Sequence, residues 1–315
     1  MSRYKIIVNP TSGRGAGERA VPLIEENLRA YDLDFELVRT EHPWHAAELA
    51  QQAAADGCEV VVAAGGDGTL NEVLNGLVIA KQAGTADGVA MGMLCVGRGN
   101  DFAFGADVPN IIGEGCRVLA EGRRRTMDVG RVSGGYYPQG RYFGNGVGIG
   151  FDAVVGFEAL KMKHLHGFLC YLVAALKTVF LYDNGPLLRI EYDEQVLVQR
   201  SLMVSIMNGK RMGGSFMMAP YSKLDDGLLD LCIAKQVSRA GIFTLIPHVM
   251  RGTQETHAAF TTGRARHIVV TAIEGSLPAH ADGETLCTEG EQLTVDLLAA
   301  QLELICDSRR AAGDI

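Results

Sequence analysis

Residues 60–72 read Val-Val-Val-Ala-Ala-Gly-Gly-Asp-Gly-Thr-Leu-Asn-Glu, and this stretch decides the fold. An apolar, β-branched run ends at two glycines, and a helical pattern begins at Thr69. Glycines let backbone N–H groups approach phosphate oxygens, and the positive end of the helix dipole faces the same place. The segment therefore predicts a phosphate-binding loop, with a metal ion or a hydroxyl proton beside Asp67. Taken alone, it is equally consistent with a tight strand-to-helix turn capped by Asp67.

Strand and helix patterns alternate along the first third of the chain, which is typical of a parallel sheet covered by helices. Right-handed crossovers place the loops after the strands at one edge of such a sheet, where α/β folds bind ligands. The predicted strands are Tyr4–Val8, Phe35–Thr40, Glu59–Ala64 and Gly88–Val96, and the predicted helices are Gly17–Ala30, His45–Asp56 and Thr69–Gln82.

Two further glycine-rich loops follow predicted strands. Residues 9–17 read Asn-Pro-Thr-Ser-Gly-Arg-Gly-Ala-Gly and add the guanidinium of Arg14, a good phosphate partner. This is not a Walker A loop, because the Gly-Lys-Ser/Thr ending is absent. Residues 97–103 read Gly-Arg-Gly-Asn-Asp-Phe-Ala and offer Arg98, Asn100 and Asp101. Each loop alone is more consistent with a structural turn, but three at one sheet edge favour a nucleotide phosphate site.

The pattern changes after Asp128, a residue that we expect to support the domain junction. Short β-like segments with turn signals predict a second domain, an antiparallel sheet or sandwich. We therefore expect an α/β domain at 1–128, a second domain with helical insertions at 129–299, and a segment at 300–308 that is a candidate to return to the first domain. The predicted strands are Thr126–Val132, Tyr142–Val147, Leu187–Tyr192, Leu197–Met207, Leu228–Ala234, His267–Ala272 and Gln292–Val295, and the helical stretches are Asp152–Asp183 and Ser238–Arg251.

Composition narrows the class of protein. A composition of 47% hydrophobic and 21% charged residues predicts that the chain is folded throughout, apart from a frayed tail at 309–315. A formal net charge of -8 argues against a nucleic-acid partner. Seven scattered cysteines are typical of core residues in a reducing cytosol. The N-terminus lacks the pattern of a signal peptide, and the longest apolar stretch, Phe168–Leu181, is too short to span a bilayer.

Together the three loops resemble the signature motifs of the diacylglycerol kinase catalytic-domain superfamily, which includes bacterial soluble diacylglycerol kinases, sphingosine kinases and ceramide kinases. The resemblance extends from about Lys5 to Leu304. It implies an α/β nucleotide-binding domain similar to those of phosphofructokinases and NAD kinases, a second β-sandwich domain and an active site in the cleft between them. Further motifs in the family's order are Asn208-Gly209, Gly213-Gly214-x-Phe216, Ala219-Pro220, Leu224-x-Asp226-Gly227-x-Leu229 and Asp282-Gly283-Glu284.

The resemblance also implies ATP, Mg²⁺ and a set of site residues. Glu284 would be the proton acceptor, and Asp226 with the backbone carbonyls of Lys223 and Leu228 would form a structural magnesium site. The third loop adds Arg98, Asn100 and Asp101 to the phosphate side. The nucleotide site would be lined by Asn9, Pro10, Thr11, Ser12, Gly13, Thr40, Gly65, Gly66, Asp67, Gly68, Thr69, Leu70 and Asn71.

The chemistry of the reaction agrees with a carboxylate base. A lipid hydroxyl is a weak nucleophile and needs an acceptor for its proton, and Glu284 and Asp67 are the candidates. We prefer Glu284 and assign Asp67 to the Mg-ATP side, although sphingosine-kinase-like members have been described with the loop aspartate as base. Without the other motifs, Asp282-Gly283-Glu284 is equally consistent with an ordinary β-turn. Many members carry Thr or Ser where this chain has Arg98, so that guanidinium either contacts phosphate or points to solvent.

We expect an ATP-dependent lipid kinase, with diacylglycerol as the first choice of acceptor. The alternatives are another lipid alcohol (sphingosine-like or phosphatidylglycerol), an NAD kinase, and an inactive nucleotide-binding regulator. A lipid acceptor implies a cytoplasmic protein in peripheral contact with the inner face of the membrane, and the family suggests a homodimer. Basic clusters at 123–125, 161–164 and 264–267 are candidates for anionic headgroup contact, although each is more simply solvated surface charge.

Overall fold

A computed structural model of the chain describes residues 3–97, 99–162, 165, 167–182 and 184–307. It contains two compact units, which are Met1–Asp128 with Ala299–Ile315, and Val129–Leu298. We call them unit 1 and unit 2. The expected frayed tail at 309–315 and the side chain of Arg98 lie outside the described residues.

Unit 1 is built on a parallel sheet. The strand order is β2–β1–β3–β4, and the end of β15 pairs with β4 in parallel through Glu303 and Leu304. Both central strands are buried along their whole length, as parallel strands covered on two faces must be. The bounds are β1 Tyr4–Val8, β2 Phe35–Arg39, β3 Val60–Gly65, β4 Ala90–Cys95 and β15 Gln292–Ile305.

Helices cover both faces of this sheet. Alternate strand residues such as Ile6 and Val62 pack against α1 and α5, and their neighbours face the other way. The opposite layer is a close pair, because α2 presents a row of buried alanines and Gly76 of α3 leaves no room for a side chain: a Cβ there would lie 2.9 Å from Ala50 Cβ. The helices are α1 Ser12–Ala30, α2 His45–Ala55, α3 Asp67–Gln82, α4 Asp101–Gly105 and α5 Ile112–Glu121.

Three features of unit 1 differ from the prediction. Helix α3 begins at Asp67, two residues early, because Gly66 adopts an extended conformation and caps it. Residues 13–15 at the start of α1 have positive φ angles of 56°, 60° and 80°, so regular helix begins near the predicted Gly17. Helices α4 and α5 were not predicted, since α4 has five residues and the run of α5 contains two glycines.

Unit 2 is a sandwich of two sheets. One sheet has the order β14–β13–β7–β9–β10–β11, the other β9–β8–β12–β15–β5–β6, and the long strand β9 belongs to both. An apolar core that includes Phe143, Ile190 and Ile206 lies between them. The further strands are β5 Arg124–Gly134, β6 Tyr137–Phe143, β7 Gly146–Gly150, β8 Leu187–Tyr192, β9 Gln195–Met207, β10 Leu229–Lys235, β11 Phe260–Ala265, β12 His267–Glu274, β13 Leu277–Ala281 and β14 Glu284–Gly290.

Helices α6 Phe151–Lys161, α7 Gly167–Leu181 and α8 Arg239–Arg251 cover the other face of the first sheet over a methionine-rich apolar cluster. The predicted helical stretch Asp152–Asp183 thus contains two helices, α6 and α7, because the backbone leaves helical geometry at Met162, and its last residue lies outside the described ranges. Buried Glu158 accepts from Lys161 Nζ within α6 at 2.5 Å and from Lys177 Nζ at 2.6 Å, and the second bond joins α6 to α7. The hydrogen bonds from Lys161 and Lys177 lower the pKa of Glu158.

The predicted strand Tyr142–Val147 is also wrong, since it is divided between β6 and β7. The break falls at Gly144 and Asn145, whose backbone N–H groups donate to the Asp282 carboxylate instead of to a neighbouring strand. Strands β11, β13 and β14 were not predicted, because alanine, glycine and proline in these runs obscure the alternation.

Candidate active site

Three loops of unit 1 meet where the parallel strands end. After β1 the Asn9 N–H donates to Ala64 O at 3.0 Å, and after β4 the Val96 and Gly97 N–H groups both donate to Gly65 O, at 3.0 and 3.2 Å. Thr40 N donates to Val8 O at 2.9 Å and so continues the same ladder beside Asn9. The sheet itself therefore brings the predicted loops 9–17, 65–69 and 97–103 together at one edge, as the sequence predicts.

Asn9 ties the first loop to the second. Its side-chain oxygen accepts from Thr11 N at 3.1 Å and from Thr11 Oγ1 at 2.9 Å, and its Nδ2 donates to Thr69 Oγ1 at 3.0 Å. Gly17 backs this arrangement, because a Cβ at that position would overlap Asn9 O. Asn9 thus holds one loop in a turn and fixes its distance from the start of α3.

Backbones approach each other closely where the second and third loops meet. A Cβ on Gly97 would lie 2.5 Å from Gly66 Cα, and a Cβ on Gly13 would lie 2.8 Å from Val96 O. Only glycine permits these distances without displacing main chain. The result is a cradle of main-chain atoms at the N-terminus of α3, the kind of site that binds phosphate.

Asp67 joins the second loop to the third. Its Oδ1 accepts from Phe102 N at 3.1 Å, and a Cβ on Gly99 would lie 3.0 Å from its Oδ2. Asp101 lies beside it at the start of α4 and is 8% exposed. Two carboxylates therefore stand at the cradle, which suits oxygen coordination of a magnesium ion carried by a nucleotide.

Asn100 shapes the third loop from inside. It adopts a left-handed backbone with a φ of 51° and is 2% exposed. Its Nδ2 donates to Gly97 O at 3.2 Å and to Asn110 Oδ1 at 2.5 Å, while its own Oδ1 is buried without a hydrogen-bond partner among the described residues. The contribution of Asn110 was missed, since it follows a proline in a loop with no motif around it. Asn71 is fully buried and accepts from Asn75 Nδ2 at 2.8 and 3.2 Å, so it supports α3 from within.

In unit 2, Asp282-Gly283-Glu284 forms the tip of the β13–β14 hairpin. Asp282 and Gly283 have φ angles of 47° and 85° and lie between the paired residues Ala281 and Glu284, the geometry of a type I′ turn. The β-turn interpretation of Asp-Gly is therefore correct for these two residues. Glu284 is exposed, and within the described part of the chain its carboxylate has no hydrogen-bond or ion-pair partner. It is available to accept a proton.

The predicted magnesium ligands lie at the start of β10. Asp226 Oδ1 accepts from Leu228 N at 3.2 Å, and its Oδ2 lies 3.1 Å from Arg264 Nη2. Arg264 Nε also donates to Asp230 Oδ1 at 3.0 Å, whereas Asp230 Oδ2 is buried without a partner among the described residues. Burial raises the pKa of Asp230, and Arg264 opposes the shift. The two carboxylates offer the hard oxygen donors that a divalent cation prefers, but they share one guanidinium, and bound Mg²⁺ would compete with Arg264 for them.

Comparison with known proteins agrees with this geometry. Residues 3–132 match the diacylglycerol kinase catalytic domain, and residues 145–306 match the YegS C-terminal NAD kinase beta sandwich-like domain. Curated diacylglycerol kinases of Staphylococcus saprophyticus and Staphylococcus aureus are 28% and 29% identical over 283 residues, which cover 90% of this chain and 88% and 86% of theirs.

Two solved structures share the fold. A diacylglycerol kinase from Bacillus anthracis has a TM-score of 0.73 at 22% identity and covers 98% of both chains. An NAD kinase from Archaeoglobus fulgidus in complex with ATP has a TM-score of 0.52 at 13% identity, covering 98% of this chain and 95% of its own. At these identities the likeness concerns the fold alone.

The fold and the loops define a kinase that combines an α/β nucleotide-binding domain with an NAD kinase-like β-sandwich. Within that class, the chain belongs to the diacylglycerol kinase catalytic-domain superfamily and is a lipid kinase. The fold class and the family resemblance predicted from the motifs are both confirmed.

The Asn9 contacts lead to a test of the cradle. Replacing Asn9 with Ala removes the bonds to Thr11 and Thr69, so the first loop loses its turn and its link to α3. We expect ATP affinity to fall by roughly tenfold or more, measured by calorimetry, because about 1.4 kcal/mol corresponds to a factor of ten. Asn27→Ala is the matched control, since the Asn27 side chain donates to Leu23 O within α1 at 2.7 Å and lies outside the predicted loops. Equal affinities for the two variants would contradict a role for Asn9 in the nucleotide site.

Proposed function

We propose that this lipid kinase transfers the γ-phosphate of ATP to the hydroxyl of diacylglycerol, which gives phosphatidic acid. The observation that carries the proposal is the main-chain cradle formed by the loops at Asn9, Gly66 and Gly97, together with the free carboxylate of Glu284. The curated relatives named diacylglycerol kinase, which match along nine-tenths of the chain, support this acceptor.

In the proposed reaction, the cradle and the N-terminus of α3 hold the nucleotide phosphates. Asp67 and Asp101 provide oxygen ligands on the phosphate side, and bound Mg²⁺ would neutralise charge on the transferring phosphoryl group. Gly66 and Gly97 allow the loops to approach each other closely, so backbone N–H groups at the N-terminus of α3 lie near the phosphates without reorganisation, which favours the transition state. Phe102 N keeps the Asp67 carboxylate in one orientation.

Glu284 is our choice of general base. Its carboxylate would accept the proton of the lipid hydroxyl as the hydroxyl oxygen forms its bond to the γ-phosphorus and ADP leaves. Asp67 is a weaker candidate, because its Oδ1 already accepts from a backbone amide. Exposure of Glu284 on a rigid turn suits a group that must meet a bulky lipid substrate.

Acceptors other than diacylglycerol are distinguished by the labelling experiment described below. A sphingosine-like lipid or phosphatidylglycerol would need the same base and cradle. An NAD kinase shares the fold, but the Asn-Pro-x-Ser-Gly and Gly-Asn-Asp-Phe-Ala loops resemble those of lipid kinases. An inactive regulator is disfavoured by the retention of Asp67, Asp101 and Glu284.

We further propose that the chain contacts the membrane peripherally. Helix α7 exposes Leu169, Leu176 and Phe180 at helical spacing, and half-exposed Lys177, whose amine donates to Glu158, lies among them. Such a surface suits the interface of an anionic bilayer. None of the helices in the described ranges has the length and apolar character needed to cross a membrane.

The function is tested with γ-labelled ATP, magnesium and a panel of acceptors. The panel contains diacylglycerol, sphingosine and phosphatidylglycerol in anionic vesicles, with NAD added in solution, and labelled products are separated by chromatography. We expect label in phosphatidic acid. Label in NAD alone, or no transfer despite ATP binding, would contradict the lipid kinase proposal, and label in another lipid would replace the acceptor.

The base assignment is tested by Glu284→Gln. The amide cannot accept the proton, so kcat should fall by about 10²- to 10⁴-fold while ATP affinity is unchanged. Glu289→Gln is the matched control, because Glu289 is also an exposed glutamate on β14. Substantial turnover in Glu284→Gln would transfer the base role to Asp67.

The magnesium site in unit 2 is tested without nucleotide. Binding to the native state raises the melting temperature by mass action, so millimolar Mg²⁺ should stabilise the wild-type protein relative to EDTA. Asp226→Asn should abolish that difference, and Asp296→Asn, which changes a half-buried carboxylate on β15 that pairs with His267, should retain it. A Mg²⁺ response that persists in Asp226→Asn would exclude this ligand.

A further inference from the structure

The hairpin that carries Glu284 is held by a buried carboxylate. Asp282 is 9% exposed, and its two oxygens accept three backbone N–H groups: Gly144 at 2.8 Å, Asn145 at 3.0 Å and Gly146 at 2.9 Å. Its own N–H donates to Gly146 O at 3.0 Å. Hydrogen bonds to a charged acceptor are about twice as strong as neutral ones, so four bonds fix this turn to the segment before β7.

That segment is fixed in turn on its other side. Asn145 O accepts from the N–H groups of Asn208 and Gly209, each at 2.8 Å. Asn208 Nδ2 donates to Gly144 O at 2.9 Å, and Asn145 Nδ2 donates to Arg211 O at 3.0 Å. Residues 144–146 therefore lie between the hairpin tip and the loop after β9, with hydrogen bonds to both.

Glu284 follows Asp282 by two residues. Its partner on the facing strand is Ala281, which immediately precedes Asp282. Side-chain rotation of Glu284 is left free, whereas the position of its Cα depends on the turn. We infer that Asp282 is a positioning residue, which acts on phosphoryl transfer only through the placement of Glu284. The inference rests on the proposed function, in which Glu284 is the base.

The same unit contains a second aspartate that begins a hairpin turn and accepts from backbone N–H groups, although Asp193 is exposed and Asp282 is buried. Asp193 also has a φ of 47°, begins the two-residue turn between the paired residues Tyr192 and Gln195, and accepts from backbone N–H groups of another segment. Arg266 N lies 3.1 and 3.3 Å from its two oxygens, and His267 N lies 3.1 Å from Oδ1. Asp193 thus gives a matched control for loss of stability, in a hairpin that carries no proposed catalytic group.

The experiment compares Asp282→Asn with Asp193→Asn in the full chain. An asparagine side chain has one acceptor oxygen, so each variant leaves amide groups of the facing segment without their carboxylate partner. Both should lower the melting temperature, but only Asp282→Asn should lower kcat, by about 10- to 100-fold as expected for a base displaced by about 1 Å, with KM for ATP unchanged. Asp193→Asn should retain wild-type kcat.

A double variant separates positioning from a general structural effect. If Asp282 acts through Glu284, adding Asp282→Asn to Glu284→Gln should lower kcat no further than Glu284→Gln alone. Multiplied losses in the double variant, or equal kcat in Asp282→Asn and Asp193→Asn, would overturn the inference and leave the lipid kinase proposal in place. Absence of transfer by the wild-type protein to every lipid alcohol would overturn both.

Discussion

Close approach of one backbone segment to another is the constraint on which the site in unit 1 depends. The loops after β1, β3 and β4 reach the same place only because Gly66 and Gly97 allow main-chain contact that a Cβ would block. The parallel ladder sets this place, since the bonds to Gly65 O anchor the third loop one residue from the cradle. A site of this kind presents fixed backbone dipoles to a ligand, and fixed dipoles cost no reorganisation when charge develops.

In unit 2, side-chain carboxylates and not glycines hold the loops in place. Its loops also contain backbone N–H groups turned away from the ladder, and carboxylates of the same chain accept them. Asp282 binds the segment at 144–146, and Asp193 binds Arg266 and His267. An amide without a partner is costly when it is buried, so Asp282 stabilises a break between strands that the sheet cannot satisfy. Asp193 accepts from backbone N–H groups at an exposed turn. In unit 1, glycines allow backbone N–H groups to face a ligand. In unit 2, aspartates accept backbone N–H groups and so stabilise the fold.

Much of unit 1 could be predicted because its signals are local. Strand β3, the glycines that end it and the helix that follows lie within about twenty residues, so periodicity and turn chemistry suffice. The hydrogen bonds that complete the site are not local. Asn9 and Thr69 are 60 residues apart, and Asp282 and Gly144 are 138 apart, and no pattern in either segment names its partner. The same limit explains why the division of the predicted strand Tyr142–Val147 was not foreseen. The Asp282 carboxylate that binds the break lies in a hairpin more than a hundred residues later.

Hydrogen bonding also distinguishes the carboxylates of these motifs from one another. Asp67 accepts from Phe102 N, Asp226 from Leu228 N and Arg264, and Asp282 from a whole turn. In each of these acids a fixed hydrogen bond or ion pair already occupies a carboxylate oxygen, which leaves fewer lone pairs for a substrate proton. Glu284 differs, since its carboxylate has no such partner in the described ranges, and it follows a turn that the Asp282 carboxylate binds to residues 144–146. A base must combine a fixed Cα with a free carboxylate, and among the acids of these motifs Glu284 meets both conditions.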